Sequence, residues 1–348
     1  MWETRSKSSV LRAFPISSSV LLGPLAYRNP QSIGPKLPLK TDFHYCIIME
    51  TWVLLVIILI VSIYFLRPRR PLPSIQSIFV YPVKSCAGIR LSQAKIVSTG
   101  LAYDRMWVFV DNEGHQVTAR EDPRLWRVQP SLDLAGKAEP REMTLTYEGK
   151  SLTIDLTKPL GKAFTMTKFT TTAEVAETGT EASVWVREAL GKDYRLCRVT
   201  KPQPSVASPD VLITLPDQEQ VLFISNASLS ALIRSAPEPK KAQLEMSCFR
   251  PNVVLEGCAA WAEDSWRTIR IGDLTFTDAG PCPRCIMTTI DPKTLAFDEK
   301  TEPLPTLRKI HGKGIKGFFG QWFSRSQDGT IHVGAPIQVL STKTFPNE

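Results

Sequence analysis

Short stretches rich in β-branched and aromatic residues, closed repeatedly by glycine-containing turns, constrain the fold of this 348-residue chain most. Met106 to Asp111 turns at Asn112-Glu113-Gly114 into His115 to Ala119, and Met143 to Tyr147 turns at Glu148-Gly149-Lys150 into Leu152 to Leu156. Later strands are expected from Asn252 to Leu255, from Thr268 to Ile271 through Gly272-Asp273 into Leu274 to Thr277, and from Ile331 to Leu340. Only two helices stand out. One runs from Glu181 to Leu190 and is stopped by Gly191; the other runs from Asn226 or Ala227 to Arg234, capped by Ser225 or Asn226. The pattern predicts a mainly β protein with some α, α+β in class, with barrel-like sheets. Pro71-Leu72-Pro73 reads as a stiff linker, and the Pro-, Ser- and Asp-rich stretch from Val199 to Gln220 as a junction, giving folded units over 75–198 and 199–345.

Ahead of the linker, Trp52 to Leu66 is an uncharged apolar run. Counted from Ile47 it reaches roughly 20 residues, about 30 Å as a helix, enough to span a bilayer. Residues 49–70 are therefore expected to form a single transmembrane anchor, with Trp52 and Tyr64 at interfaces and Arg67-Pro68-Arg69-Arg70 as a basic flank. That flank keeps the large C-terminal part in the cytosol. Residues 1–48 are Ser-rich and carry Arg5, Lys7, Arg12, Arg28, Lys36 and Lys40 against Glu3 and Asp42. This is the composition of a mitochondrial transit peptide, unless Met49 is the true start. Both versions point to an internal membrane.

The net charge of +8 and pI near 9.1 come from dispersed basic residues without a nucleic-acid motif, so a solvated basic surface is expected. Seven scattered cysteines fit a reducing compartment rather than a disulfide scaffold. No haem, flavin or dinucleotide motif is present. Two cysteines stand close together, Cys282 and Cys285, in Gly280-Pro281-Cys282-Pro283-Arg284-Cys285-Ile286-Met287-Thr288-Thr289-Ile290-Asp291-Pro292. The prolines mark a rigid loop, Ile286 to Ile290 reads as a strand, and Arg284 favours the thiolate of its neighbours. Zinc would need a second close pair, which His44, His115, His311 and His332 do not supply. A redox dithiol, a metal-ligating thiolate and two ordinary cysteines all remain open on these residues alone.

Cys282 to Pro292 resembles the cysteine motif of the MOSC-domain family, in particular its mitochondrial amidoxime-reducing type. Tyr81-Pro82-Val83-Lys84-Ser85-Cys86-Ala87-Gly88 and Gly100 to Trp107 are similar to the opening of that family's N-terminal barrel. Thr118-Ala119-Arg120, Phe249-Arg250-Pro251-Asn252 and Phe318-Phe319-Gly320-Gln321-Trp322-Phe323 follow in the family's order. The resemblance covers about Ser77 to Leu340. It implies an N-terminal MOSC β-barrel domain and a C-terminal MOSC β-barrel domain, with a molybdenum cofactor between them.

By resemblance, Cys285 is the metal ligand and catalytic residue, and Cys282, Pro283 and Arg284 line its pocket. Lys84, Ser85, Arg105 and Arg250 bind the cofactor phosphate, and Trp322 packs near the pterin. Relatives often carry Ser where Pro283 stands here, which removes a hydroxyl donor. The implied reaction is reduction of N-hydroxylated or N-oxygenated small molecules, amidoximes and hydroxylamines among them. Electrons would come from NADH through a flavin reductase and a b-type cytochrome at the mitochondrial outer membrane. Two rivals are a sulfur carrier with a persulfide on Cys285 and a protein that holds the cofactor without turnover.

Overall fold

The computed structural model describes residues 51–60, 62, 72–134, 139–169, 171–205, 208–216 and 218–344. The chain forms two units, residues 1–69 and 70–348. In the first, residues 51–60 are helical with exposed apolar side chains. Among the described residues no helix is long and apolar enough to cross a membrane. The single transmembrane helix expected over 49–70 is thus not among the described helices, and much of that span, like the extension 1–48, lies outside the described residues.

The second unit is mainly β. Its largest sheet runs in the order Ile89–Leu91, Ser74–Val80, Val253–Glu256, Val221–Ser225, Lys316–Arg325, Leu274–Pro283, Trp266–Ile271, Ile337–Thr342. All these neighbours are antiparallel except Val221–Ser225 with Val253–Glu256. A second sheet orders Ala163–Lys168, Thr171–Glu177, Arg195–Val199, Trp107–Val110 and Gln116–Val117. Two early strands pair with late ones. Ser74–Val80 lies against Val253–Glu256 with Ile78 opposite Val253, and Gln93–Val97 lies against Gly329–His332 with Ala94 opposite Ile331. One buried cluster follows from this exchange, joining Ile75, Ile78 and Ile96 to Phe223, Leu255, Ile269, Phe276 and Phe323. The early half keeps a core of its own around Trp107, Phe109, Leu145, Trp185 and Val186.

Local chemistry explains the elements. All three predicted hairpins form, Phe109 pairing with Val117, Tyr147 with Lys150 and Ile271 with Leu274. The helix Thr180–Leu190 ends on Gly191 at φ 61°, a left-handed cap that glycine adopts without Cβ strain. Ser225 caps the helix Asn226–Ser235, its side chain accepting from the Ser228 amide.

Three expectations are corrected. Ile286–Thr289 is a 3-10 turn, not a strand. The Thr288 and Thr289 hydroxyls donate to the Cys285 and Ile286 carbonyls at 3.0 and 2.8 Å, stabilising a turn that β-propensity argues against. The expected rigid loop at Gly280 to Pro283 is the end of strand Leu274–Pro283. The prolines and Gly280, at φ 105°, are accommodated as register shifts against Lys316–Arg325. The single strand expected from Ile331 to Leu340 is broken at Gly334, φ 83°, into Gly329–His332 and Ile337–Thr342, which join different sheets.

Candidate functional site

A cavity of about 470 Å³ opens where the early and late halves meet. All nine residues singled out from the sequence line it: Lys84, Ser85, Arg105, Arg250, Cys282, Pro283, Arg284, Cys285 and Trp322. Thr118, Arg120, Phe169, Glu219, Asn252, Thr288 and Lys316 line it too.

The early half contributes tight turns. Tyr81 to Cys86 follows the strand Ser74–Val80 and is tied down by the Lys84 amide, which donates to the Trp107 carbonyl at 2.7 Å. Lys84 is buried, and its ammonium donates to the Leu215 carbonyl at 2.8 Å. Ser85, Arg105, Phe169 and Arg250 all have positive φ, at 68°, 48°, 51° and 52°. Four non-glycine residues in a sparsely populated region around one cavity is strain concentrated where a ligand would sit.

The cations are held by the fold as well as aimed at the cavity. Arg105 pairs with Asp104 and donates to the Arg250 carbonyl at 3.3 Å. Arg250 donates to the Cys86 carbonyl at 2.6 Å. The Tyr81 ring carries both guanidiniums, Arg250 at 4.2 Å and Arg105 at 4.4 Å from its centre. Burial lowers Arg250 to about 10, so it stays charged at neutral pH, and burial raises Tyr81 to about 12. Asp104 accepts from the Tyr81 amide at 2.9 Å and from Asn252 at 3.1 Å, tying the halves together beneath these cations.

The two cysteines differ. Cys282 is 4% exposed, packed with Leu222, Phe249 and Phe319, whereas Cys285 is partly exposed at the cavity wall. The Arg284 guanidinium, between them, is held by backbone carbonyls. Its Nε and Nη2 donate to the Phe319 carbonyl at 2.8 and 2.6 Å, and Nη1 to the Phe249 carbonyl at 3.0 Å. Burial lowers its pKa. Arg284 is thus a buried brace that carries both cavity-wall segments. Trp322 is part-buried against the same apolar cluster. Six cations and one carboxylate, Glu219, line the cavity, and this balance favours an anionic group inside it. Among the described residues no three His, Cys, Asp or Glu side chains cluster to cage a metal ion.

The MOSC N-terminal beta barrel domain matches residues 72–193 and the MOSC domain matches residues 210–338. The chain belongs to the MOSC-domain family. Its relatives include mitochondrial amidoxime-reducing component 1 of Homo sapiens, 33% identical over 301 residues covering 79% of this chain and 86% of that protein. The Mus musculus component 1 is 30% identical over the same shares, and Bos taurus component 2 is 31% identical over 78% of this chain and 84% of its own. The seam between the two matched MOSC segments is the cavity.

Arg120 is the site residue that sequence reasoning left without a role. Its Nη2 lies 3.2 Å from Cys285 Sγ, and its guanidinium stacks over Phe169 at 4.5 Å. Its place in the MOSC block Thr118-Ala119-Arg120 was the available signal; a lone arginine on a turn carries no spacing rule. Asn252 stood in the block Phe249-Arg250-Pro251-Asn252 without being given a role, and Lys316 was missed because a lysine outside a patterned cluster reads as ordinary surface chemistry.

Proposed function

We propose that this chain is a molybdenum-cofactor-dependent reductase of N-hydroxylated and N-oxygenated compounds, amidoximes and hydroxylamines in the first place. The observation that carries the reading is the cavity seam: one partly exposed thiol, Cys285, shares a wall with cations drawn from both halves. The relatives' names, amidoxime-reducing components, support the same chemistry.

The residues present fit a pterin dithiolene with a phosphate. A soft sulfur donor suits molybdenum, fixed cations suit a phosphate, and the cavity has the size of a small-molecule site. Cys285 would hold the metal, while Lys84, Ser85, Arg105 and Arg250 would hold the phosphate. When bound, the group supplies a metal able to gain and lose an oxo ligand. Each N–O bond reduced takes up an electron pair and two protons and releases water.

The chain's own contribution is order and shielding. Arg284 braces the Phe249 and Phe319 carbonyls, fixing the wall that bears Cys285. Thr288 closes the turn by donating its amide and hydroxyl to the Cys285 carbonyl. Leu222, Phe169, Met287 and Trp322 supply apolar wall that limits water.

Electrons reach the site from NADH through a flavin reductase and a b-type cytochrome in this reading, supported by the net positive charge, which suits an acidic donor. The mitochondrial names of the relatives and the basic flank after the apolar run support residence on the mitochondrial outer membrane with the MOSC part in the cytosol. Anaerobic mixing of reduced protein with benzamidoxime tests the reading: stoichiometric benzamidine supports it, and no turnover by metal-loaded protein sinks it.

A further inference from the structure

Arg120 belongs to the early half and Cys285 to the late half, 165 positions apart, yet the guanidinium donates to the sulfur at 3.2 Å. Both ends of this contact are fixed. On the arginine side, the Thr118 amide and hydroxyl both donate to Glu121, at 2.8 and 2.6 Å. The Arg120 amide donates to Thr118 Oγ1 at 3.2 Å, and the guanidinium lies over the Phe169 ring, 4.5 Å from its centre. Thr118 is fully buried, so the turn cannot swing freely. On the sulfur side, the Arg284 amide donates to the Gly317 carbonyl at 2.9 Å, and Cys285 caps a turn closed by Thr288.

Arg284 and Lys240 already brace the cysteine segment through the Phe319, Phe249 and Thr289 carbonyls. A planar cation aimed at a sulfur from the opposite wall does something else. It withdraws charge from the sulfur and fixes its direction, as donors to ligand atoms do in metal sites generally.

We propose that Arg120 is a positioning residue that orients and polarises Cys285 Sγ across the seam, and so sets the reduction potential of the metal bound there. This rests on Cys285 being the metal ligand. A cation beside the ligand stabilises the reduced, more negative state, so removing it makes the potential more negative.

Two measurements on the full chain decide the matter. In cofactor-free protein, melting temperatures are compared for Arg120→Gln, Cys285→Ala and the double variant. A working contact makes the losses non-additive, the double variant melting higher than the summed single losses. In loaded protein, Arg120→Gln keeps its molybdenum content but shows a more negative midpoint potential by electron paramagnetic resonance titration, and Arg120→Lys recovers part of the shift. Additive losses, or an unchanged potential at full metal content, overturn the proposal. Wild-type protein purified from a competent host without molybdenum would instead overturn the reductase reading, while the melting cycle would still decide whether Arg120 holds Cys285.

Discussion

Arg250, from the MOSC segment, donates to the carbonyl of Cys86, in the N-terminal barrel segment, at 2.6 Å. The guanidinium expected to grip a phosphate is therefore also a rivet between halves. Arg250→Ala should lose a charged hydrogen bond of about 1.5–3 kcal/mol. Both a lower melting temperature and substoichiometric molybdenum are expected, with Arg250→Lys recovering part of each, because a point charge replaces a planar fork. Full metal content with unchanged stability would remove Arg250 from both roles.

The cysteines should separate cleanly. Cys285→Ser is expected to fold with a near-normal melting temperature and to lose metal and activity. Cys282→Ser places a hydroxyl in an apolar cluster and should cost about 1–3 kcal/mol while keeping part of the activity. Equal loss of activity in both, at equal stability, would restore the dithiol reading.

Arg284→Lys tests the brace. Three donations to two carbonyls shrink to what one ammonium can reach. Thermal stability should fall more than metal content per folded chain. The reverse order would mean that Arg284 binds the cofactor directly.

Much of this was written locally. Asn112-Glu113-Gly114 and Glu148-Gly149-Lys150 set their hairpins through turn chemistry, and Gly191 and Ser225 set helix ends through capping. The helix Leu304–His311 was hidden because Pro303 and Pro305 punctuate its start and read as a loop. The pairings of Ser74–Val80 with Val253–Glu256 and of Gln93–Val97 with Gly329–His332 had no local signal. Strand exchange across more than 150 residues is decided by the shared core, not by propensity. The family blocks brought nine residues to one cavity, but only the three-dimensional seam put Arg120 against Cys285.

A buried pair away from the cavity makes stability depend on pH. Burial pushes His311 down, but its bonds to Asp264 at 2.8 Å and to the Phe318 carbonyl at 3.1 Å outweigh this, and its pKa is raised above 6.5. The folded state then holds a proton that the unfolded chain releases. This contribution is complete below the unfolded value of 6.5 and is lost as pH rises through the raised folded value. Burial and neighbouring Asp264 raise Glu263 as well, which acts in the same direction. Melting temperature should decline as pH rises above 6.5 more steeply than in His311→Gln. Parallel curves would show that the pair does not titrate there.

Metal and pterin content test most directly the proposal that Cys285 holds molybdenum in the seam between the two MOSC segments. Full-length protein from a cofactor-competent host should carry about one molybdenum and one pterin per chain, as a single thiolate ligand requires, and Cys285→Ser should carry neither metal nor activity. Wild-type protein without molybdenum, bearing labile sulfur on Cys285, would contradict the account and make the chain a sulfur carrier.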